Sequence, residues 1–173
     1  MKKLFQFLSK GKNLLLLAGL FLLFNYLLSH FLSKENALDL KFAYSVEEAY
    51  LALGNLDLDH RNVYSLGLWL LDTPYMIVYC LLFSGILLKL WGNRKVVFLP
   101  VLILTIDFFE NLTVLKMLKI FPKENEFLAL LSSFFTTSKW IMVAVLIFMI
   151  LFGLLNFLVG RKILSVNSQK AEI

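Results

Sequence analysis

Asp107, Glu110 and Asn111 stand at i, i+3 and i+4 in an otherwise apolar stretch. Side chains three and four apart share one face of a helix, so two carboxyl groups and an amide point the same way. An ionised side chain at the centre of a bilayer costs roughly 2.5–3.5 kcal/mol or more, and persists where it is paired, protonated or lining a cavity. The chemistry open to this cluster is proton exchange, capture of a cationic group, or hydrogen bonding between helices. Asp72, Tyr75 and Tyr79, at i, i+3 and i+7, form a second polar face. Their phenols can donate to a charged acid or accept from a protonated one. Lys139, beside Thr136, Thr137 and Trp140, is the nearest cation for Glu110 or Asp72. Asn25 and Tyr26 lie at a depth from which they reach the same pocket, with Asp72 expected near the depth of Glu110 and Tyr75 near that of Asp107.

Each residue also has a structural reading. Asp72-Thr73-Pro74 reads equally well as a helix cap followed by proline at the first helical position. Lys139 next to Trp140 has the look of an anchor at the outer membrane boundary. Tyr75 and Tyr79 serve equally as packing, and the three acids as helix–helix glue.

The elements that carry these residues follow from composition. The chain has 173 residues, 60% of them hydrophobic, against about 45–50% in ordinary soluble domains. A core this small cannot bury that much apolar surface, so lipid must cover the rest. A membrane-crossing helix needs roughly 20 apolar residues. Four stretches qualify, at about 13–32, 66–88, 96–115 and 140–160. The expected fold is all-α: one integral membrane domain over 1–173, a four-helix transmembrane bundle. The first stretch follows Met1-Lys2-Lys3 as a signal peptide would, but it is too long and Phe31 occupies the position a small residue would need for cleavage after Ser33. It is read as an uncleaved span.

Charge sets the expected orientation. Ten of the 17 basic residues, among them Lys2, Lys3, Lys10, Lys12, Lys89, Arg94, Lys95, Arg161, Lys162 and Lys170, fall on one side with Glu172 the sole acid. Both termini are therefore expected in the cytoplasm, in a bacterial inner membrane, with an outer segment at 33–65 and an outer loop at 116–139. In the outer segment, Ser45-Val46-Glu47-Glu48 matches a capping box. It predicts a short helix over about 46–53, with Gly54 as its C-cap, Tyr44 stapled to Ala49, and Ala49, Tyr50 and Leu53 resting on the bundle or the membrane. A further outer helix is predicted over about 124–135.

Several chemistries are excluded or unsupported. The net charge of +5 comes from residues clustered at span ends, not from a basic stripe interleaved with aromatics, so no nucleic-acid partner is expected. Cys80 stands alone, which rules out an intrachain disulfide and a multi-thiolate metal site. With only His30 and His60, a histidine-rich di-iron centre is excluded. Asp57, Asp59, His60 and Arg61 lack specific ligand spacing and read as a solvated loop. There is no Gly-rich phosphate loop, HExxH or nucleophile elbow. No metal or cofactor is assigned.

The stretches "AYSVEEAYLALGNL", "LDTPYMIVY", "LPVLILTIDFFENLTVLKML" and "FTTSKW" together resemble a group of small, uncharacterised bacterial four-span integral membrane proteins. The pattern covers roughly residues 43–140, through Asp72-Thr73-Pro74-Tyr75, Asp107-Phe108-Phe109-Glu110-Asn111 and Thr136-Thr137-Ser138-Lys139-Trp140. The resemblance implies that these polar residues belong together and brings no activity with it. From the residues, the leading expectation is binding, extending to transport, of a small or lipid-like ligand at an intramembrane acidic pocket. There Glu110 and Asp107 exchange protons or bind a cation, Asn111 orients them and Lys139 balances charge. Transport by four spans favours a homodimer. One alternative is a membrane enzyme acting on a lipid or isoprenoid, with Asp72 and Glu110 as acid and base across a laterally open chamber. The other is a structural or assembly subunit whose acids pair with Lys139 or a partner's cation.

Overall fold

The computed structural model describes the backbone of residues 2–32 and 36–171, and the side chains of 5–32 and 36–159. The side chains of Lys2, Lys3, Ser33, Arg161, Lys162, Lys170 and Glu172, which entered the orientation and cleavage arguments, lie outside the described residues. The described chain is all-α, with no strand among the described residues. Four helical segments are long and apolar enough to cross a membrane: Gly11–Phe31, Leu58–Trp91, Arg94–Ile120 and Glu126–Val159.

Helix α1 (Lys2–Leu8) turns sharply into α2 (Gly11–Phe31). The 21 residues of α2 give a rod of roughly 31 Å at 1.5 Å per residue, matching the ~30 Å hydrocarbon layer. Gly85 lets the α1–α2 corner approach: a Cβ there would stand 2.7 Å from both the Leu8 carbonyl oxygen and Leu14 Cδ2.

Residues 36–45 are mostly irregular, with a single 3-10 turn at Leu38–Leu40. They lead into α3 (Val46–Gly54), which the capping box starts as the sequence predicts. The Glu48 amide donates to Ser45 Oγ at 3.1 Å, and the Ser45 amide donates to Glu48 Oε2 at 2.7 Å. Gly54 is the last helical residue and Asn55 caps it. Ala49, Tyr50 and Leu53 are buried in one apolar cluster with Tyr44, Val114, Met117, Leu128 and Ala129. That face therefore rests on the bundle.

Helix α4 (Leu58–Gly67), capped by Asp57 accepting from the His60 amide at 2.8 Å, does not end before Asp72. It continues through a π-helical stretch at Leu68–Asp72 into α5 (Thr73–Trp91). Pro74 explains the widening. Its ring would clash with the carbonyl four residues back, and it has no N–H to offer that carbonyl. The π stretch relaxes the clash, and the Leu68 carbonyl accepts from both the Thr73 amide and Thr73 Oγ1, the latter at 2.9 Å. The second apolar segment thus starts earlier than the 66–88 expected.

Gly92, at φ +65°, stops α5. The short link that follows feeds a 3-10 turn at Arg94–Val97 and then α6 (Phe98–Ile120). The predicted outer loop at 116–139 contracts to residues 121–125. Helix α6 runs on to Ile120, and α7 (Glu126–Ala171) is one unbroken helix that absorbs both the predicted outer helix and the fourth span. No proline interrupts 126–171, and Asn125 caps the start by accepting from the Leu128 amide at 3.0 Å. The Tyr50 hydroxyl holds the tight turn, accepting from the Asn125 amide at 2.6 Å.

The helices α5, α6 and α7 pack on one another, with α6 and α7 the most extensively paired. Helix α2 packs along α5 but has no substantial packing against α7.

Two substitutions test these local arguments. Gly85→Ala should lower stability by about 1–3 kcal/mol, because a backbone carbonyl blocks the new methyl, while Gly19→Ala, with open space around it, should be neutral or slightly stabilising by thermal melting in detergent. The capping bonds hold the Glu48 carboxyl below its ordinary value of 4.5, chiefly through the Ser45 amide. A depressed folded value means the cap contributes fully above pH 4.5 and is lost as pH falls through the lower folded value. Amide exchange in α3, corrected for intrinsic rate, should therefore accelerate at pH 3 relative to pH 6 in the wild type. In Glu48→Gln that pH dependence should be absent.

Candidate functional site

The polar face of α6 meets α7 at a buried ion triad. Lys139 Nζ lies 3.0 Å from Asp107 Oδ1 and 2.7 Å from Glu110 Oε2. All three side chains are buried, and Glu110 is completely enclosed. The remaining carboxylate oxygens are met by hydroxyls. Tyr79 of α5 donates to Asp107 Oδ2 at 2.8 Å, and Thr136 of α7 donates to Glu110 Oε1 at 2.6 Å. The Tyr44 hydroxyl extends the chain, donating to Ser132 Oγ at 2.7 Å and lying 3.4 Å from Thr136 Oγ1. Burial pushes the Tyr44 phenol up to about 12, so it remains a neutral hydroxyl at any physiological pH.

Lys139 is thus the cation for both acids of α6, and its pairing with Glu110 is the one the sequence suggests. It sits 13 residues into a continuous helix, roughly 20 Å from its start at 1.5 Å per residue. The expected pairing between α5 and α6 shifts. Asp72 meets Asn111, which donates to its Oδ2, and it is Tyr79, not Tyr75, that meets Asp107. Asp72 has helical dihedrals and makes no capping bond, so the geometry favours the contact with Asn111 over the cap. Tyr75 instead accepts from Asn25 Nδ2 of α2 at 3.1 Å. Tyr26 points away and is exposed.

Between α2 and α7 lies a cavity of about 610 Å³. Phe21, Leu28, Ile103, Val143, Leu146 and Ile147 give it apolar walls. Its polar surface comes from Asn25, Asp39, Asp72, Tyr75, Tyr79, Asp107 and Lys139. Phe21, Tyr75 and Tyr79 form an aromatic ladder along one side, with ring centroids 5.4 Å apart at each step. The cavity reaches the surface where α2 and α7 fail to pack, and Asn25, Ser29 and Ile147 are exposed there. Glu110 and Asn111, both candidates from the sequence, do not line it. They stand behind Asp107 and Asp72 as support.

Asp39 is the residue the sequence reading missed. It lies in the irregular segment before α3, which is strapped along α7 by a run of hydrogen bonds. Trp140 Nε1 donates to the Asp39 carbonyl at 3.2 Å, Thr137 Oγ1 to the Phe42 carbonyl at 3.0 Å, and the Tyr44 amide to Ser133 Oγ at 3.1 Å. The strap brings the Asp39 carboxyl to the cavity wall, where its Oδ1 is buried without a hydrogen-bond partner. Burial raises its carboxyl above the usual value. Lys139 opposes that shift, and the negative charge of Asp107 adds to it. The available signal was the hydroxyl pattern Ser132, Ser133, Thr136, Thr137, one helix face asking for polar partners from an irregular strand of chain. Thr136 and Tyr44, which complete the triad, belong to the same pattern.

No family model, no curated protein and no solved structure matches this chain.

The triad predicts a specific ranking of stabilities. Lys139→Met leaves two carboxylates buried without a cation and should cost about 3–5 kcal/mol, seen as a large fall in melting temperature in detergent. Adding Asp107→Asn and Glu110→Gln to the same chain should recover most of that loss. Three single substitutions with additive, equal effects would show that the three groups do not act as one network.

Proposed function

We propose that this protein binds an amphipathic, lipid-like molecule, whose apolar part lies between α2 and α7 and whose polar head meets the polar floor of the cavity, where Asp39 and Asp72 lie. The observation that carries this reading is the cavity itself: apolar walls, a polar floor, and a side that opens where two long apolar helices do not touch. Its volume falls within the range of roughly 300–1,000 Å³ typical of small-molecule sites. The opening lies along the length of apolar helices, so a ligand entering there comes from the hydrocarbon layer and not from water. On this reading the charge bias holds both termini on the cytoplasmic side of a bacterial inner membrane, and α3 lies over the other end of the bundle.

The alternatives gain less from the geometry. An acid–base pair of Asp72 and Glu110 across the chamber is not formed, because Glu110 is enclosed and off the cavity wall. A subunit whose acids await a partner's cation is not needed to satisfy Asp107 and Glu110, since Lys139 of the same chain meets both.

The test is extraction and mass spectrometry of lipid co-purifying with the protein, against a chain in which Ile147→Trp and Ser29→Trp fill the opening. The wild type should retain a defined amphiphile at near-stoichiometric amount. The filled variant should retain at least tenfold less, with an unchanged melting temperature. Equal retention by a well-folded filled variant would overturn the reading.

A further inference from the structure

The charge of the cavity wall says which head group it takes. Resting on the binding reading above, we infer that the ligand's head is a cation, an amine or quaternary ammonium, received by Asp39 and Asp72. Lys139 is already committed to Asp107 and Glu110, at 3.0 and 2.7 Å, so it has little attraction left for an anionic head. Neither Asp39 nor Asp72 has an ion-pair partner among the described residues. Asp72 is 7% exposed and accepts from Asn111 through one oxygen only. Asp39 Oδ1 is buried with no donor at all. Both residues line the same cavity, beside Tyr75, Tyr79 and Trp140. A carboxylate taken out of water without a cation is costly, and a cation received by both removes that cost for both. The aromatic rings add the attraction of a π face for a positive head. A phosphate or carboxylate head would instead face two acids, and a neutral head would leave them unmatched.

The experiment titrates the full chain, in a neutral maltoside detergent at pH 7, with hexadecyltrimethylammonium, hexadecanol and hexadecyl phosphate, and with tetramethylammonium as the chainless cation. Tryptophan emission is the readout, because Trp140 lines the cavity, with Trp140→Phe identifying its share. The filled Ile147→Trp, Ser29→Trp chain, which needs Trp140→Phe and wild-type comparisons for its added indoles, reports partition into the micelle. The expected result is at least tenfold tighter binding of the long-chain ammonium than of the alcohol or the phosphate. That preference should be lost in Asp39→Asn and in Asp72→Asn, at a melting temperature no lower than that of the wild type. Asp39 lies in the irregular segment and its carboxyl takes no part in the α5–α6 contact, so Asp39→Asn keeps the test open should Asp72→Asn fail to fold. Equal binding of the three long chains overturns the cationic head and leaves the lipid reading standing, and preference for the phosphate overturns it in favour of Lys139. Tetramethylammonium binding as tightly as the long chain supports the cation and overturns the lipid reading. No binding by any probe overturns both.

Discussion

The fold is organised around one buried cation. Lys139 stands between Asp107 and Glu110, away from water, and a charge in that position is tolerated only when its partners are close and their remaining oxygens are satisfied. Satisfying them recruits most of the molecule. Tyr79 commits α5 to the Asp107 side, and Thr136 closes the Glu110 side from within α7. Tyr44 then links the hydroxyls of α7 to the segment that precedes α3. Removing any one of these leaves a charge or a donor stranded at low dielectric, so the network is cooperative in the sense that its parts are worth little separately. That is also why α7 runs without a break from Glu126. A kink near residue 136 would part Lys139 and Thr136 from the carboxylates they serve.

The same constraint leaves α2 outside. The helices α5, α6 and α7 satisfy one another, whereas α2 brings only Asn25 toward the polar interior. Hydrocarbon tails cover apolar side chains as well as a neighbouring helix does, so nothing compels α2 to close on α7. It packs on α5 through the Phe21–Tyr75 stack and stops there. The cavity is what remains when three helices are bound by a polar network and the fourth by packing and a single hydrogen bond from Asn25.

How much of this was legible in the sequence depends on the kind of signal. The spacing of Asp107, Glu110 and Asn111 fixed a shared face, because helical period is a local property, and the capping box at Ser45 was read for the same reason. Lys139 carried two signals at once, a boundary anchor and a cation for the acids. A lysine beside a tryptophan after a run of hydroxyls resembles an interface, and only the partners on α6 make the interior affordable for it. Asp72 carried a proline signature that normally starts a helix, and the π stretch let the helix pass through it. Asp39 had no local signal of its own. It sits in an irregular segment, and its position comes from long-range hydrogen bonds to Ser133, Thr137 and Trp140 that no periodicity encodes.

The polar interior therefore divides into two parts with opposite energetics. Around Lys139, each acid has a cation and a hydroxyl, and the arrangement is explained by stability without appeal to a ligand. Along the cavity wall, Asp39 and Asp72 have no cation among the described residues, and Asp39 keeps an oxygen buried with no donor among them. Asparagine at either position would be close in shape and cheaper to bury. Groups held at a cost to stability are the ones a functional role explains, and here they line the cavity between α2 and α7. The triad ties α6 to α7, and with Tyr79 to α5, and so holds the helices that frame the cavity. The acids of α6 and those that α5 and the segment before α3 bring to the cavity are thus neighbours, separated by whether Lys139 pairs with them.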